Sequence, residues 1–215
     1  MTKKILYSAQ QKYLDSIQSE SEPLLKEMEE FAYEKQIPIL SKAAADFLEQ
    51  TILIHRPKRV LEIGMAIGYS SIRIARTLRG KGILDTIELS KDNIKIAQEF
   101  ISRSGNKDKI NIIEGDALKL LPIMIDKYDF IFIDADKEDY EKLFYYSLLL
   151  LNKRGVMFVD NLLWHGYVAS KNVPVKYKTS ADSIRKFNKL FISQKVLKTT
   201  ILPIGDGIGL GIKLD

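Results

Sequence analysis

The chain has 215 residues, 46% of them hydrophobic and 28% charged, with a formal net charge of +5, which suits one globular domain with a substantial core. It contains no cysteine, so disulfides, thiolate zinc sites and cysteine nucleophiles are excluded, and a metal must bind oxygen or one of two histidines. No apolar run approaches the roughly 18 residues of a membrane span, and residues 1–8 carry two lysines without the apolar stretch of a signal peptide. A cytoplasmic protein with no membrane partner is expected, and the basic balance favours anionic partners.

Residues 8–55 read as helical, with Leu24, Leu25, Met28, Phe31 and Ala32 at helical spacing and Pro23 in a first turn. Pro38 breaks the pattern. A second helix over 41–54 has Ser41 as its cap and Ala44, Phe47, Leu48 and Leu53 for its buried face. These helices form a cap, residues 1–55, in front of a core, residues 56–215, within a single domain.

From Pro57 the pattern alternates between strands over 59–63, 82–87 and 110–114 and helices over 70–78 and 91–104. Such alternation specifies a parallel sheet. A fourth strand, 128–134, is apolar throughout its interior, as a central strand should be. A fifth covers 155–160, and 196–202 and 208–214 form a hairpin about Gly205-Asp206-Gly207. The fold expected is α/β, a doubly wound seven-stranded sheet with an antiparallel C-terminal hairpin.

The most informative stretch is Val60-Leu61-Glu62-Ile63-Gly64-Met65-Ala66-Ile67-Gly68-Tyr69-Ser70, where a strand gives way to a glycine loop and a helix start. Glycines there admit close backbone approach, and the helix adds unpaired N–H groups. The third glycine of the dinucleotide fingerprint is absent, which argues against a nicotinamide cofactor. Glu88 closes the second strand where an acidic side chain accepts bonds from ribose hydroxyls. A ribose without a pyrophosphate fits S-adenosylmethionine, with Glu62 near its amino-acid end.

Open α/β sheets bind ligands at the carboxyl ends of their strands, and there stand Asp134, Asp160 and Asn161. Two carboxylates and an amide describe a hard divalent cation, Mg²⁺ or Mn²⁺, with open positions for substrate. Lys137 leaves the same strand end, and a lysine beside a cation has its pKa pushed down toward that of a base. Asp136 and Asp139 read as solvated or capping residues, His165 as a loop residue and His55 as structural.

The motifs Val60-Leu61-Glu62-Ile63-Gly64 with Gly68-Tyr69-Ser70, Asp134-Ala135-Asp136-Lys137, and Asp160-Asn161-Leu162-Leu163-Trp164-His165-Gly166 resemble those of the cation-dependent O-methyltransferases of the catechol and caffeoyl-coenzyme A type, from about Ile39 onward. The resemblance implies a Rossmann-like class I methyltransferase fold. It places the metal on Asp134, Asp160 and Asn161, gives deprotonation to Lys137, and surrounds the cofactor with Ile39, Glu62, Gly64, Ser70, Glu88, Asp116, Ala117 and Asp134. Asp136 stands where the animal catechol enzymes carry an aromatic gate.

The short bacterial members of this family include a tRNA 5-hydroxyuridine methyltransferase, and the length, lack of insertions and basic balance here are similar to it. That implies a tRNA anticodon loop as partner, with Lys12, Arg56, Lys58, Lys171, Lys176 and Lys178 meeting phosphates and Trp164 or Tyr167 stacking on the base. The alternatives are a small-molecule catechol or hydroxycinnamoyl methyltransferase and a noncatalytic RNA-binding protein on the same fold. The N-terminal helices are suited to burying an apolar face against a second copy, so a homodimer is expected.

Overall fold

The computed structural model describes residues 7–17 and 22–215, so the stretch 1–6 read above for a leader lies outside the described residues. Three helices come first: α1 (Ser8–Ile17), α2 (Pro23–Lys35) and α3 (Lys42–His55). Pro23 opens α2, where its missing N–H has no intrahelical role. Ser41 caps α3, its hydroxyl accepting the Ala44 N–H at 3.4 Å. The buried face of α3 runs through Ala44, Ala45, Leu48 and Ile52, and the expected Leu53 is 43% exposed. Ile52 lies four residues after Leu48 and stays on the stripe, whereas Leu53 is rotated a further 100° or so away from it.

There follow β1 (Arg59–Ile63), α4 (Tyr69–Thr77), β2 (Ile83–Glu88), α5 (Lys91–Arg103), β3 (Ile110–Glu114), α6 (Ala117–Leu120) and β4 (Tyr128–Ile133). The chain then runs through α7 (Tyr140–Leu150), β5 (Leu151–Val159), α8 (Val175–Ile192), β6 (Leu197–Leu202) and β7 (Ile208–Lys213). The seven strands form one sheet in the order β3-β2-β1-β4-β5-β7-β6. The first five are parallel, and β7 runs antiparallel to both β5 and β6. This is the doubly wound seven-stranded sheet with an antiparallel C-terminal hairpin that the alternation and the closing turn predicted.

Two corrections concern the elements around β5. It begins at Leu151, not at residue 155, because Leu151 pairs with Tyr128 before a register shift, with Arg154 at φ 62°. Asn152 closes that irregularity by donating to Asp129 Oδ1 at 2.9 Å. The helices α7 and α8, which flank β5 in the chain, lie beyond the helices read from the sequence.

Each face of the sheet is covered. On one, α2 and α3 pack Met28, Ala44 and Leu48 into a cluster with Val60, Phe130 and Phe158. On the other, α7 and α8 bring Phe144, Phe187 and Phe191 against Leu61, Ile131 and Met157. The cap is joined to α4 by a buried ionic network: Arg73, 3% exposed, bonds Asp46, Glu49 at 2.8 Å and the Tyr69 hydroxyl at 3.0 Å. Tyr69 in turn donates to Glu29 of α2 at 2.6 Å. Removing one partner of such a network strands the others, at a cost of about 3–5 kcal/mol. Arg73→Ala should therefore lower the melting temperature by roughly 10 °C, measured by differential scanning calorimetry.

Candidate active site

The site is built where the parallel ladder runs one step past the strand ends. Gly64 N–H donates to Ile87 O (3.0 Å), Asp134 N–H to Ile63 O (2.9 Å), Asp160 N–H to Ile133 O (3.1 Å) and Gly115 N–H to Glu88 O (2.9 Å). These four residues thus leave the sheet at one level and open a cleft of about 610 Å³ at the point where the strand order reverses. Of the eleven residues assigned to the site, ten line this cleft: Ile39, Gly64, Ser70, Glu88, Asp116, Ala117, Asp134, Lys137, Asp160 and Asn161.

Glu62 is the exception. It is fully buried beneath the glycine loop, where Oε2 accepts the Ser71 hydroxyl and the Thr86 hydroxyl, the latter at 2.6 Å. Burial pushes its carboxyl up to about 7, against the pull of bonds from Ser70, Ser71 and Thr86. Its place is to hold the floor under the loop.

The glycine loop differs from its sequence reading in one respect. Gly64 has φ +96°, and a Cβ built there would lie 1.9 Å from the Asp134 carbonyl oxygen, so the close approach it permits is to β4. Gly68 (φ +85°) opens α4 and packs against Ala97 of α5. The Glu88 carboxylate is fixed by two backbone donors, Ala66 N–H and Ser90 N–H, both at 2.8 Å, one per oxygen. Asp116 caps α6 through Leu118 N–H at 2.9 Å.

Across the cleft stands the acidic pair. Asp160 is 4% exposed, and its Oδ1 is buried with no hydrogen-bond partner among the described residues. Burial first, and then the charge of Asp134, push its carboxyl up to about 8. A buried orphan oxygen beside a second carboxylate is a demand for positive charge. Asn161, at φ 61°, turns its Nδ2 toward Asp206 Oδ2 at 3.5 Å, which leaves the amide oxygen free to accept. Among the described residues no group of three or more His, Cys, Asp or Glu side chains could hold a metal ion; the donors a cation could draw on here are the Asp134 and Asp160 carboxylates and the Asn161 amide oxygen. That set fits a hard oxygen-binding cation.

Lys137 comes from the turn after β4. Its Nζ lies 3.0 Å from Asp134 Oδ1 and 2.9 Å from Ala135 O, with the Tyr140 and Trp164 rings at 5.1 and 5.5 Å. Burial pulls its pKa down, but Tyr140 and Asp134 outweigh that and hold it above an ordinary lysine's. The protein's own groups thus keep it charged; the lowering expected from the sequence was that of a lysine beside a bound cation.

The cleft wall also includes Tyr69, quoted above only as part of the glycine-loop motif, and Leu89, Glu138 and Ser180, which the sequence reading did not single out. Leu89 directly follows Glu88, a position the sequence already showed, and the structure leaves it 67% exposed. Ser180 sits on α8 and bonds Glu138 at 2.7 Å, so it needed that helix to be seen first. At the rim, Trp164, His165, Tyr167 and Tyr177 form a ring cluster, with Tyr167 and Tyr177 stacked at 5.2 Å and Lys176 4.5 Å above Tyr177. Lys171 and Lys178 are exposed on the same segment, and Lys12 is exposed on α1. Arg56 and Lys58 are misplaced as phosphate ligands. They precede β1, at the strand end opposite the cleft, where Lys58 N–H donates to Asp129. His55 is structural as expected, bonded to Asp129 O at 2.9 Å.

The family model for O-methyltransferases matches residues 15–214, reaching well into the helical cap. A caffeoyl-CoA O-methyltransferase from Populus kitakamiensis is 34% identical over 172 residues, covering 76% of this chain and 73% of the relative. A crystal structure from Staphylococcus aureus described as a caffeoyl-CoA O-methyltransferase is 32% identical, covers 96% of this chain and 100% of that one, and superposes with a TM-score of 0.87. An O-methyltransferase from Bacillus cereus in complex with SAH is 27% identical, with 94% and 96% covered and a TM-score of 0.81.

Glu62 makes the stability of this protein depend on pH. Its folded-state pKa, about 7, lies above the usual 4.5, so the native state holds the proton more tightly and stability falls as pH rises through that window. The loss levels off above it, at about 3 kcal/mol. Glu62→Gln should be neutral at pH 4.5 and stabilising at pH 8, read from chemical denaturation at both pH values.

Proposed function

We propose that this chain, which belongs to the O-methyltransferase family, moves a methyl group from S-adenosylmethionine to one of two adjacent oxygens on a substrate ring. The observation that carries the reading is the partnerless buried Asp160 Oδ1 beside Asp134, in the same cleft as the Gly64–Ser70 loop and Glu88. Asp134, Asp160 and Asn161 would hold a divalent cation, which when bound neutralises the acidic pair and lowers the pKa of a substrate hydroxyl. S-adenosylmethionine supplies the electrophilic methyl group.

The chain's residues divide the remaining work. Glu88, anchored through Ala66 and Ser90, offers its free lone pairs to the ribose hydroxyls. Asp116 and Ala117 flank the base, and Ile39 closes the cleft at the cap side. Lys137 is placed to take the hydroxyl proton, since withdrawal of the Asp134 charge from its Nζ brings the amine toward the range of a base. Holding the reacting groups in one cleft contributes through orientation.

For the substrate, we propose 5-hydroxyuridine in a tRNA anticodon loop. Its O4 and O5 are neighbours on the ring edge, as in a catechol. The rim supports it with stacked Tyr167 and Tyr177, Trp164, and the lysines Lys171, Lys176 and Lys178. A small catechol or hydroxycinnamoyl thioester is the second reading, favoured by what the poplar and staphylococcal relatives are called.

Incubation with labelled S-adenosylmethionine, Mg²⁺ and tRNA bearing 5-hydroxyuridine should yield 5-methoxyuridine by nucleoside mass spectrometry. Chelator should abolish the product. Product from caffeoyl-CoA with none from tRNA would transfer the assignment to the second reading. Asp160→Asn should reduce turnover more than about 100-fold, since the charge stabilisation at stake is several kcal/mol. Retained turnover in that variant would remove Asp160 from the mechanism.

A further inference from the structure

Asp206 stands in the turn between β6 and β7, far from the acidic pair in sequence, and its side chain is 22% exposed. One oxygen accepts His165 N–H at 2.6 Å, and the other lies 3.5 Å from Asn161 Nδ2 and 3.8 Å from His165 Nδ1. The same turn binds the loop through its backbone: Asp206 O accepts Leu163 N–H and Gly207 O accepts Leu162 N–H, both at 2.8 Å. Gly207, at φ +90°, lets the two segments touch, for a Cβ there would meet Leu163 N at 2.7 Å.

The loop so gripped is strained. Asn161, Trp164 and His165 all have left-handed backbones, with φ of 61°, 44° and 53°, and the two ring residues persist there only because their surroundings over-determine them. It carries Asn161 and Trp164 into the cleft. An asparagine amide is ambiguous as a ligand, because either its oxygen or its nitrogen can point at a given place, and only the oxygen binds a cation. A carboxylate accepts only, so beside Asn161 it selects the orientation in which nitrogen faces Asp206.

We infer that Asp206 is the positioning residue of the cation site: it turns the Asn161 amide oxygen outward and holds the 161–165 loop, though it touches neither cation nor substrate. The inference rests on the assignment of the cation to Asp134, Asp160 and Asn161. Asp206→Asn isolates the effect. It keeps one acceptor for His165 N–H, and its new amide donor draws the Asn161 oxygen toward itself.

The test is Mn²⁺ titration of the purified protein, read by electron paramagnetic resonance of the free ion. Asp206→Asn, and Asp206→Ser as a second variant, should weaken Mn²⁺ binding roughly 10–100-fold. Affinity for S-adenosylhomocysteine without metal should stay within about twofold, since Glu88 and the glycine loop are untouched. Because Asp206 acts chiefly through Asn161, adding Asp206→Asn to Asn161→Ala should weaken binding by much less than Asp206→Asn weakens it alone, only the loss of its distant charge remaining. Asp206→Glu should restore most of the affinity. Unchanged Mn²⁺ affinity in Asp206→Asn, with Asp160→Asn losing binding, overturns this inference alone. A wild-type chain that binds no Mn²⁺, or an Asp160→Asn variant that binds it normally, overturns the metal assignment and this inference with it.

Discussion

The constraint on which the site depends is the contact between Gly64 and the Asp134 carbonyl. The strands β1 and β4 are neighbours in the sheet, and their ends converge so closely that the carbonyl occupies the space of a Gly64 side chain. The glycine that begins the cofactor loop and the aspartate that begins the acidic half are thereby fixed to one another by backbone alone. Any side chain at residue 64 would separate the two halves of the cleft before it altered either.

The electrostatics follow from that geometry. The cleft collects Glu88, Asp116, Asp134, Asp136, Glu138, Asp139 and Asp160 on its walls, and Glu62 lies buried just below. Facing this, the Lys137 ammonium lies against Asp134 and cannot also neutralise the buried Asp160 Oδ1. Burial and the neighbouring carboxylate therefore favour the protonated Asp160 in the free chain, and a cation entering beside it would displace that proton and supply the positive charge the protein does not. Asn161 contributes an oxygen to that place without a further charge. Asp206 lends its charge from behind, close enough to weigh on Asp160.

Most of this was legible in the sequence because the sheet puts chemistry at strand ends, and strand ends are easy to find. A buried parallel strand is an apolar run, and the first polar residue after it, whether Gly64, Glu88, Asp134 or Asp160, marks the level of the cleft. What escaped lacks such a boundary. In α7 the apolar residues surround the helix and continue through Leu150 into Leu151 of β5 with no turn residue between, so neither end is marked. In α8 the stripe Ala181, Ile184, Phe187 and Phe191 and the preceding Pro174 were present, but nothing about the acidic motifs requires that helix. Arg56 and Lys58 were misread because charge near a motif in sequence says nothing of which end of the strand it occupies. Glu62 does not line the cleft for a related reason: alternation along β1 sends its side chain under the loop that its neighbours form.

The cap belongs to the site rather than to a separate layer in front of it. Ile39 and Leu40 form one wall of the cleft, and they sit in the break between α2 and α3, where Pro38 interrupts the helical pattern. Both helices are tied to α4 by Arg73, through Asp46 and Glu49 of α3 and through Tyr69 to Glu29 of α2. Tyr69 is both a member of that network and part of the cleft wall. Its hydroxyl receives from Arg73 and donates to Glu29, so the ring cannot move without breaking a buried charge-assisted bond. Movement of the cap relative to the core would thus be felt at the first turn of the helix that follows the glycine loop. The position of that loop is set from two sides: from β4, by a carbonyl lodged against Gly64, and from the cap, by a buried arginine acting through Tyr69.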